Sequence, residues 1–276
     1  MVNRPAVCSW SLQPTSPVDL VDKIRACGVS AVQLHLDPIR SFEWRADETG
    51  SRLREAGIRI VSGMMSMKGE DYTTLESIKI TGGVRPDATW EDNLKAAEGN
   101  AILAARLGLK LVTFHAGFLP HDRGDAERRA MIERLRKLAE VYGARNVRVA
   151  FETGQESAET LLDVLQEING GLAEHQRVGV NFDPANMILY GMGDPISALK
   201  KLMPYVVQVH IKDATPAAKA GEWGAEVVVG AGKVDWKAFF GALRESGFAG
   251  DMSIEREAGD TRVKDVAIAR EFIATI

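Results

Sequence analysis

Four side chains of metal-binding type stand at the ends of four successive apolar segments in the second half of the chain. The first three lie roughly thirty residues apart, about one βα unit, and the fourth follows after a longer interval. Carboxylates and imidazoles are ligands for hard and borderline divalent cations, and paired carboxylates also exchange protons with a substrate. The four residues are Glu152 in Val149-Ala150-Phe151-Glu152, Asp183 in Val180-Asn181-Phe182-Asp183, His210 in Gln208-Val209-His210 and Glu255 in Ser253-Ile254-Glu255.

The alternation of side chains along these segments predicts that the four groups converge. Successive strand residues point to opposite faces, so Val149 and Phe151 share one face and Glu152 points to the other. An isolated acid at a strand end is more often a helix N-cap or an ion-pair partner. Three carboxylates brought together in register repel one another unless a cation holds them. The pattern therefore predicts one divalent metal ion, Mn²⁺, Mg²⁺, Co²⁺ or Zn²⁺, bound by Glu152, Asp183, His210 and Glu255.

The elements that must position these groups alternate between short strands and longer amphipathic helices. Predicted strands are Ala6–Leu12, Ala31–Leu36, Arg59–Met64, Leu111–His115, Val147–Glu152, Val178–Asp183, Val206–Ile211 and Met252–Glu255. Predicted helices are Asp19–Cys27, Glu43–Ala56, Thr89–Leu107, Ala126–Tyr142, Ala158–Ile168, Ile196–Met203, Trp236–Ser246 and Val263–Ala274. This α/β order predicts a parallel sheet, and 276 residues suit a single (β/α)8 TIM-barrel domain over residues 1–276. No G-x-G-x-x-G follows the first strand, which counts against an open dinucleotide-binding sheet.

Two connections are long for a compact barrel. Lys68–Ala88 follows the third strand, and Thr215–Lys233 follows the seventh. Both would rise from the C-terminal face, where active sites of such barrels lie, so we interpret them as lids or pocket walls. Thr89 and Asp92 are placed to cap the helix that follows the first of them.

The composition excludes several classes of function. The net charge is −4 and the basic residues are scattered, so we expect no nucleic-acid partner. The two cysteines are too few for a disulfide framework, and no apolar run is long enough to span a bilayer. We therefore expect a cytoplasmic protein with no membrane association. The sequence leaves a homo-oligomer open.

Several motifs together resemble the xylose isomerase-like barrel superfamily, in particular the sugar phosphate isomerase/epimerase group that contains D-tagatose 3-epimerase. The resemblance covers nearly the whole chain. It is specific for the superfamily and weakly specific for the substrate. The motifs are Phe151-Glu152-Thr153-Gly154, Asn181-Phe182-Asp183-Pro184-Ala185-Asn186, Val209-His210-Ile211-Lys212-Asp213-Ala214, Gly230-Ala231-Gly232-Lys233-Val234-Asp235-Trp236 and Ser253-Ile254-Glu255-Arg256-Glu257.

The resemblance implies a metal-dependent isomerase or epimerase that acts on a ketose or related small carbohydrate. In ketose epimerases of this group, the glutamates that match Glu152 and Glu255 bind the metal and also transfer protons. The expected reaction removes the proton beside a carbonyl, forms an enediolate and returns a proton on the opposite face. Asp183 and His210 would hold the metal only.

Six further residues are candidates for substrate binding, each with an alternative. His115 would contact substrate or a second metal, or be a core histidine, and His35 is either a pocket or a core residue. Trp10 and Trp223 would form an apolar pocket wall or pack internally. Lys212 shares a face with His210 if the strand extends to it, or pairs locally with Asp213. The sixth candidate, Asn186, stands where epimerases often have a substrate-binding histidine.

Three other functions compete with the epimerase interpretation. Dehydratases of inososes and dehydroshikimate share the barrel and the first proton-abstraction step, but then expel a β-hydroxyl. A nuclease resembling endonuclease IV needs a trinuclear site with more histidines, which this chain lacks at Met64 and Asn186. A catalytically silent sugar- or metal-binding barrel would not require both candidate acid/base glutamates. No glycine-rich phosphate cradle is evident, so free and phosphorylated sugars both remain open.

Overall fold

Eight parallel strands form a closed barrel in the computed structural model, which describes residues 5–219 and 221–276. The barrel strands are β1 (Ala6–Cys8), β2 (Ala31–His35), β3 (Arg59–Met64), β4 (Leu111–Phe114), β5 (Arg148–Glu152), β6 (Gly179–Phe182), β7 (Val206–Ile211) and β10 (Asp251–Ile254). Each strand pairs with its sequence neighbours in the barrel, and β10 closes the circle against β1. The predicted (β/α)8 TIM-barrel fold is confirmed.

Helices surround the barrel and cover the outward faces of the strands. They are α1 (Pro17–Ala26), α2 (Asp37–Arg40), α3 (Ala46–Glu55), α4 (Leu75–Thr81), α5 (Asp87–Arg106), α6 (Ala126–Gly143), α7 (Ala158–Asn169), α8 (Pro184–Leu189), α9 (Pro195–Leu202), α10 (Trp236–Glu245) and α11 (Arg262–Ile273). The outward residues Val149, Phe151, Val180 and Phe182 are completely buried or nearly so, because the helices exclude water from this face. No described helix is long and apolar enough to cross a membrane.

The two long connections contain more regular structure than the sequence predicts. The first contains α4, whose N-cap Thr74 forms a capping box with Ser77, but only Ile78 on this helix is buried. One buried side chain leaves almost no apolar periodicity to detect. The second contains β9 (Ala225–Val227), which pairs in an antiparallel hairpin with β8 (Asp213–Thr215) at the start of the connection. Both connections therefore contain ordered secondary structure at the C-terminal face of the barrel.

The predicted first strand is wrong beyond Cys8, because Ser9–Leu12 forms a 3-10 turn. The two serines of this turn bind neighbouring backbone. Ser9 Oγ accepts a hydrogen bond from His35 N at 2.8 Å, and Ser11 Oγ accepts one from Arg256 N at 2.9 Å. Side-chain to backbone bonds of this kind compete with strand pairing, so the chain leaves the sheet early.

Several other predicted boundaries also differ by one to three residues, and two of them concern a proposed cap and a site residue. Helix α5 begins at Asp87 with Pro86 as the N-cap residue, so Thr89 lies inside the helix and does not cap it. Proline is tolerated at such a start because the first N–H groups of a helix have no intrahelical partner. Strand β4 ends at Phe114, one residue before His115.

Candidate active site

The four predicted metal-binding residues meet at the carboxyl ends of the strands. One ligand atom from each of Glu152, Asp183, His210 and Glu255 lies within 4.8 Å of those of the other three. His210 Nδ1 lies 3.3 Å from Glu152 Oε1, 3.6 Å from Asp183 Oδ2 and 3.4 Å from Glu255 Oε2. Atoms held at about 2.1 Å from one ion lie roughly 3.0–3.4 Å apart in octahedral or tetrahedral geometry. The spacing is therefore close to that of a preformed coordination shell.

Two atoms of this cluster are buried without a hydrogen-bond partner, namely Asp183 Oδ2 and His210 Nδ1. The other oxygen of Asp183, Oδ1, accepts hydrogen bonds from the backbone N–H groups of Ala185 (2.8 Å) and Asn186 (3.0 Å). Asp183 thus caps α8 with one oxygen and offers the other to the cluster. Unpartnered buried polar atoms are costly, and a cation bound between them would remove that cost. The donor set fits a divalent metal ion.

A polar network inside the barrel orients His210. Its Nε2 lies 2.9 Å from Gln33 Oε1 and 2.9 Å from Asn181 Nδ2. Gln33 in turn donates to Thr113 Oγ1 at 2.8 Å, and Gln208 donates to Asn181 Oδ1 at 3.2 Å. With its hydrogen on Nε2, His210 donates to Gln33 and leaves the Nδ1 lone pair directed at the carboxylates, as a metal ligand requires. The Asn181 amide nitrogen can only donate, so its contact with Nε2 favours the other tautomer.

Sequence reasoning missed these supporting residues, although a signal was present. Gln33, Asn181 and Gln208 each lie two residues before an inward-facing site residue and so share its face of the strand. Barrel interiors are usually filled by branched apolar side chains. Amide side chains at these inward positions indicate that the barrel centre forms hydrogen bonds that support the site.

The electrostatic field at the cluster favours cations. Burial disfavours the imidazolium of His210, but the charges around it, including Glu152 and Glu255, outweigh burial and raise its pKa well above the ordinary value. Burial also opposes ionisation of Glu255, yet Lys212 and His210 hold its pKa well below the ordinary value. For Asp183, burial dominates and raises the pKa. A divalent ion bound here would neutralise the buried negative charge of the carboxylates.

The two glutamates have different neighbours. Glu152 Oε1 accepts a hydrogen bond from Asn186 Nδ2 at 2.9 Å. Glu255 Oε1 accepts one from Trp10 Nε1 at 2.8 Å, and its Oε2 lies 2.8 Å from Lys212 Nζ. Each carboxylate is therefore oriented by side chains from other elements of the fold and is not free to rotate.

A cavity of about 680 Å³ opens above the cluster at the C-terminal mouth of the barrel. Glu152 and Glu255 line it, whereas Asp183 and His210 do not. All six residues predicted to bind substrate also line the cavity: Trp10, His35, His115, Asn186, Lys212 and Trp223.

The two pocket histidines are held differently. His35 Nε2 lies 3.2 Å from Asp37 Oδ2 and 3.3 Å from Ser66 Oγ, so its ring is fixed at the rim. His115 Nε2 lies 3.6 Å from Glu152 Oε1, and its buried Nδ1 has no hydrogen-bond partner. Both residues are pocket residues and not part of the apolar core.

Of the two alternatives for Lys212, the local pair with Asp213 does not form. Lys212 Nζ lies 2.8 Å from Glu255 Oε2 and 2.7 Å from Glu257 Oε2. Asp213 instead accepts hydrogen bonds from the indole of Trp236 and from backbone N–H groups, including those of Gly230 (2.9 Å) and Gly232 (3.1 Å). This internal carboxylate occupies the N–H groups of the glycine motif, which are therefore not available to a phosphate.

Several further pocket residues were not predicted, among them Glu70, Tyr72, Glu226 and Glu257. Glu70 and Tyr72 come from the long third connection, where no periodicity singles them out. Glu226 is on β9 and binds Arg256 Nη1 at 2.8 Å, which ties the hairpin to the end of β10. Only Glu257 carried a sequence signal, since it follows Glu255 by two residues.

The fold and the cluster together define a TIM barrel with a candidate metal centre at its C-terminal mouth. Residues 21–276 match the model of the xylose isomerase-like TIM barrel family, and the chain belongs to that family. The resemblance inferred from the motifs is thereby confirmed. No curated protein sequence matches the chain.

Three solved structures illustrate the relationship. A xylose isomerase domain protein from Planctomyces limnophilus is 31% identical, with a TM-score of 0.85 over 92% of this chain and 91% of that one. The probable 3-DHS dehydratase AsbF from Bacillus anthracis is 18% identical, with a TM-score of 0.72 over 98% of both chains. D-psicose 3-epimerase from Clostridium cellulolyticum H10, solved with D-tagatose, is 14% identical, with a TM-score of 0.70 over 99% of this chain and 98% of that one. The last two similarities concern the fold alone.

Proposed function

We propose that this protein is a divalent-metal-dependent isomerase or epimerase of a ketose or related carbonyl sugar. The observation that carries the proposal is the division of the four-residue cluster. Glu152 and Glu255 face the cavity and also reach the cluster, whereas Asp183 and His210 reach the cluster only. Two groups are thus placed for both metal binding and proton transfer, and two for metal binding alone.

The reaction follows from this division. A metal ion held by the cluster would polarise the substrate carbonyl and acidify the adjacent C–H. One of Glu152 and Glu255 removes that proton, and the other returns a proton to the opposite face of the enediolate. Asn186 and Trp10 hold the two carboxylates in the orientations that proton transfer needs.

We further propose that the substrate is an uncharged sugar. Lys212 is the only lysine or arginine among the described residues that line the cavity, and two glutamates already pair with it. The N–H groups of Gly230 and Gly232 are used by Asp213. A phosphorylated sugar would bring negative charge among Glu70, Glu255 and Glu257 without a free cation to receive it.

A second candidate is a lyase that removes a β-hydroxyl from an inosose- or dehydroshikimate-like keto-polyol. The observation that favours it is the Lys212–Glu257 pair on the cavity wall, 2.7 Å apart. Expulsion of a hydroxyl is assisted by a proton donor, and the Lys212 ammonium supplies one in addition to the two glutamates. Epimerisation needs only the two glutamates.

The test is proton NMR in D₂O with the Mg²⁺-loaded protein and a panel of free ketoses and cyclic keto-polyols. We expect metal-dependent loss of the C–H signal beside a carbonyl, absent after EDTA treatment and reduced at least a hundredfold in Glu152→Gln and Glu255→Gln. An epimer or isomer as product supports the first candidate, and an enone supports the lyase. Unchanged exchange in both variants would contradict the roles of the glutamates.

A further inference from the structure

The cavity extends from the cluster to an aromatic wall formed by Leu189, Tyr190 and Trp223. The rings of Tyr190 and Trp223 meet edge to face, with centroids 4.9 Å apart. Gly224 N donates to Leu189 O at 3.3 Å, so the seventh connection is docked on the end of α8. The wall is therefore a packed surface and not a set of loose side chains.

The backbone of this wall is set back from the cluster. Helix α8 starts directly after Asp183 and contains six residues, and Leu189 is its last. At a rise of about 1.5 Å per residue, the helix places the backbone of Leu189 roughly 9 Å from that of Asp183 along its axis. The Tyr190 side chain reaches back toward β5, and its hydroxyl lies 3.5 Å from Gln155 Nε2. A substrate that also contacts this wall extends beyond the groups bound at the cluster.

The size of the cavity supports the same conclusion. Its volume of about 680 Å³ lies in the range of pockets that hold drug-sized ligands, and it exceeds the volume of one hexose severalfold. The rest of the lining is mixed, because Leu189, Tyr190 and Trp223 are apolar or aromatic whereas Glu70, Glu226 and Glu257 are acidic. An apolar group placed against the first three side chains would bury its surface.

The wall presents ring surface to the cavity and not a polar group. Trp223 Nε1 is buried and has no partner, so the contact that this residue offers to a ligand is made by its ring. An aromatic group joined to a sugar has an apolar surface that matches the two rings.

We infer that the pocket accepts an aryl glycoside, with the carbonyl sugar at the cluster and the aromatic aglycone against Tyr190 and Trp223. The inference deepens the proposed function and rests on it for the position of the sugar. The aglycone packs on the aromatic wall.

The test measures binding and not turnover. Isothermal titration calorimetry of the Mg²⁺-loaded protein compares phenyl with methyl β-glycosides of glucose, galactose and xylose, none of which carries a reactive carbonyl. We expect the phenyl member to bind at least tenfold more tightly than the methyl member in at least one pair. Trp223→Ala should reduce that ratio at least fivefold, and Trp223→Phe, which keeps an aromatic ring, should reduce it less.

The matched control is Trp90→Ala, since Trp90 lies outside the cavity with its ring 5.4 Å from the Arg134 guanidinium carbon. It should leave the phenyl-to-methyl ratio unchanged. A ratio near one in all three pairs, or a ratio that survives Trp223→Ala, would overturn the aglycone site. A phenyl preference that depends on Trp223, together with no proton exchange on any ketone, would support the site and overturn the proposed reaction only.

Discussion

Lys212 Nζ lies 2.8 Å from Glu255 Oε2, and both side chains are only 3% exposed. The pair joins the end of β7 to the end of β10 above the barrel centre. The lysine thereby neutralises a carboxylate that is also a proposed metal ligand, so the stability of this pair and the binding of a metal ion are coupled.

Lys212→Met should therefore destabilise the metal-free protein strongly and the metal-loaded protein less. Removing one partner of a buried ion pair leaves an uncompensated charge and costs on the order of 3–5 kcal/mol. A divalent ion would supply the missing positive charge. Thermal unfolding in EDTA and in saturating Mg²⁺ measures both effects. The exposed pair Lys201–Glu159 provides the control, because Lys201→Met should change stability by less than about 0.5 kcal/mol in either buffer. Equal losses for Lys212→Met in both buffers would contradict the coupling.

Asp183→Asn tests the metal centre itself. A ligand present at one hundred times its dissociation constant stabilises a protein by about 2.7 kcal/mol. We expect Mg²⁺ or Mn²⁺ to raise the melting temperature of the unmodified protein by roughly 5–10 °C. The variant should lose this rise while keeping the helix cap, which uses Oδ1. Asp194→Asn alters the corresponding cap of α9 and should retain the full rise. A metal-independent melting temperature in the unmodified protein would argue against the site.

Glu156 provides a prediction about pH. Its side chain is buried, and burial raises its pKa to about 8. The folded state therefore favours the protonated acid, whose contribution to stability is complete below the ordinary pKa and is lost as pH rises toward 8. Glu156→Gln should match the unmodified protein near pH 4.5 and exceed it by a few kcal/mol above pH 8. Urea unfolding at the two pH values, with exposed Glu245→Gln as control, measures the difference. A variant that gains nothing at high pH would show that the acid is hydrated.

Gly232→Ala should detach the glycine motif from Asp213. A Cβ at Gly232 would lie 2.0 Å from Asp213 Oδ1 and 2.7 Å from Ala214 O, so the carboxylate must leave its N–H partners. We expect a loss of about 1–3 kcal/mol in urea unfolding. At Gly241 in α10, a Cβ meets nothing within 4 Å, and Gly241→Ala should stabilise by about 0.5–1 kcal/mol. Equal effects of the two substitutions would show that the Asp213 cradle is unimportant.

Asn186→Ala tests the residue that departs from the epimerase pattern. Its amide donates to Glu152 Oε1 at 2.9 Å, and a hydrogen bond to a charged group contributes about 1.5–3 kcal/mol. We expect proton exchange to fall by roughly ten- to a hundredfold, mainly in kcat, with the metal-induced rise in melting temperature retained. Asn186→His should recover part of the exchange if an imidazole at this position can also orient Glu152. An unchanged kcat in Asn186→Ala would contradict the positioning role.

The sequence by itself determined the barrel and the four residues of its centre. Strand periodicity shows which residues share a face, and the repeated βα spacing places the ends of successive strands at one rim. Both signals are local or nearly so, which is why Glu152, Asp183, His210 and Glu255 could be grouped without coordinates. The same alternation of side chains along a strand could have identified Gln33, Asn181 and Gln208 as supporting residues.

Only the tertiary structure decided how the remaining side chains are used. The Lys212–Glu255 pair joins residues forty-three positions apart, and no sequence pattern distinguishes it from a local pair with Asp213. The contributions of Glu70, Tyr72 and the hairpin that carries Glu226 depend on how two long connections fold over the rim. Such connections have no periodic pattern, and their conformations are set by contacts with distant elements. The aromatic wall arises in the same way, because Trp223 meets Tyr190 only after the hairpin docks on α8.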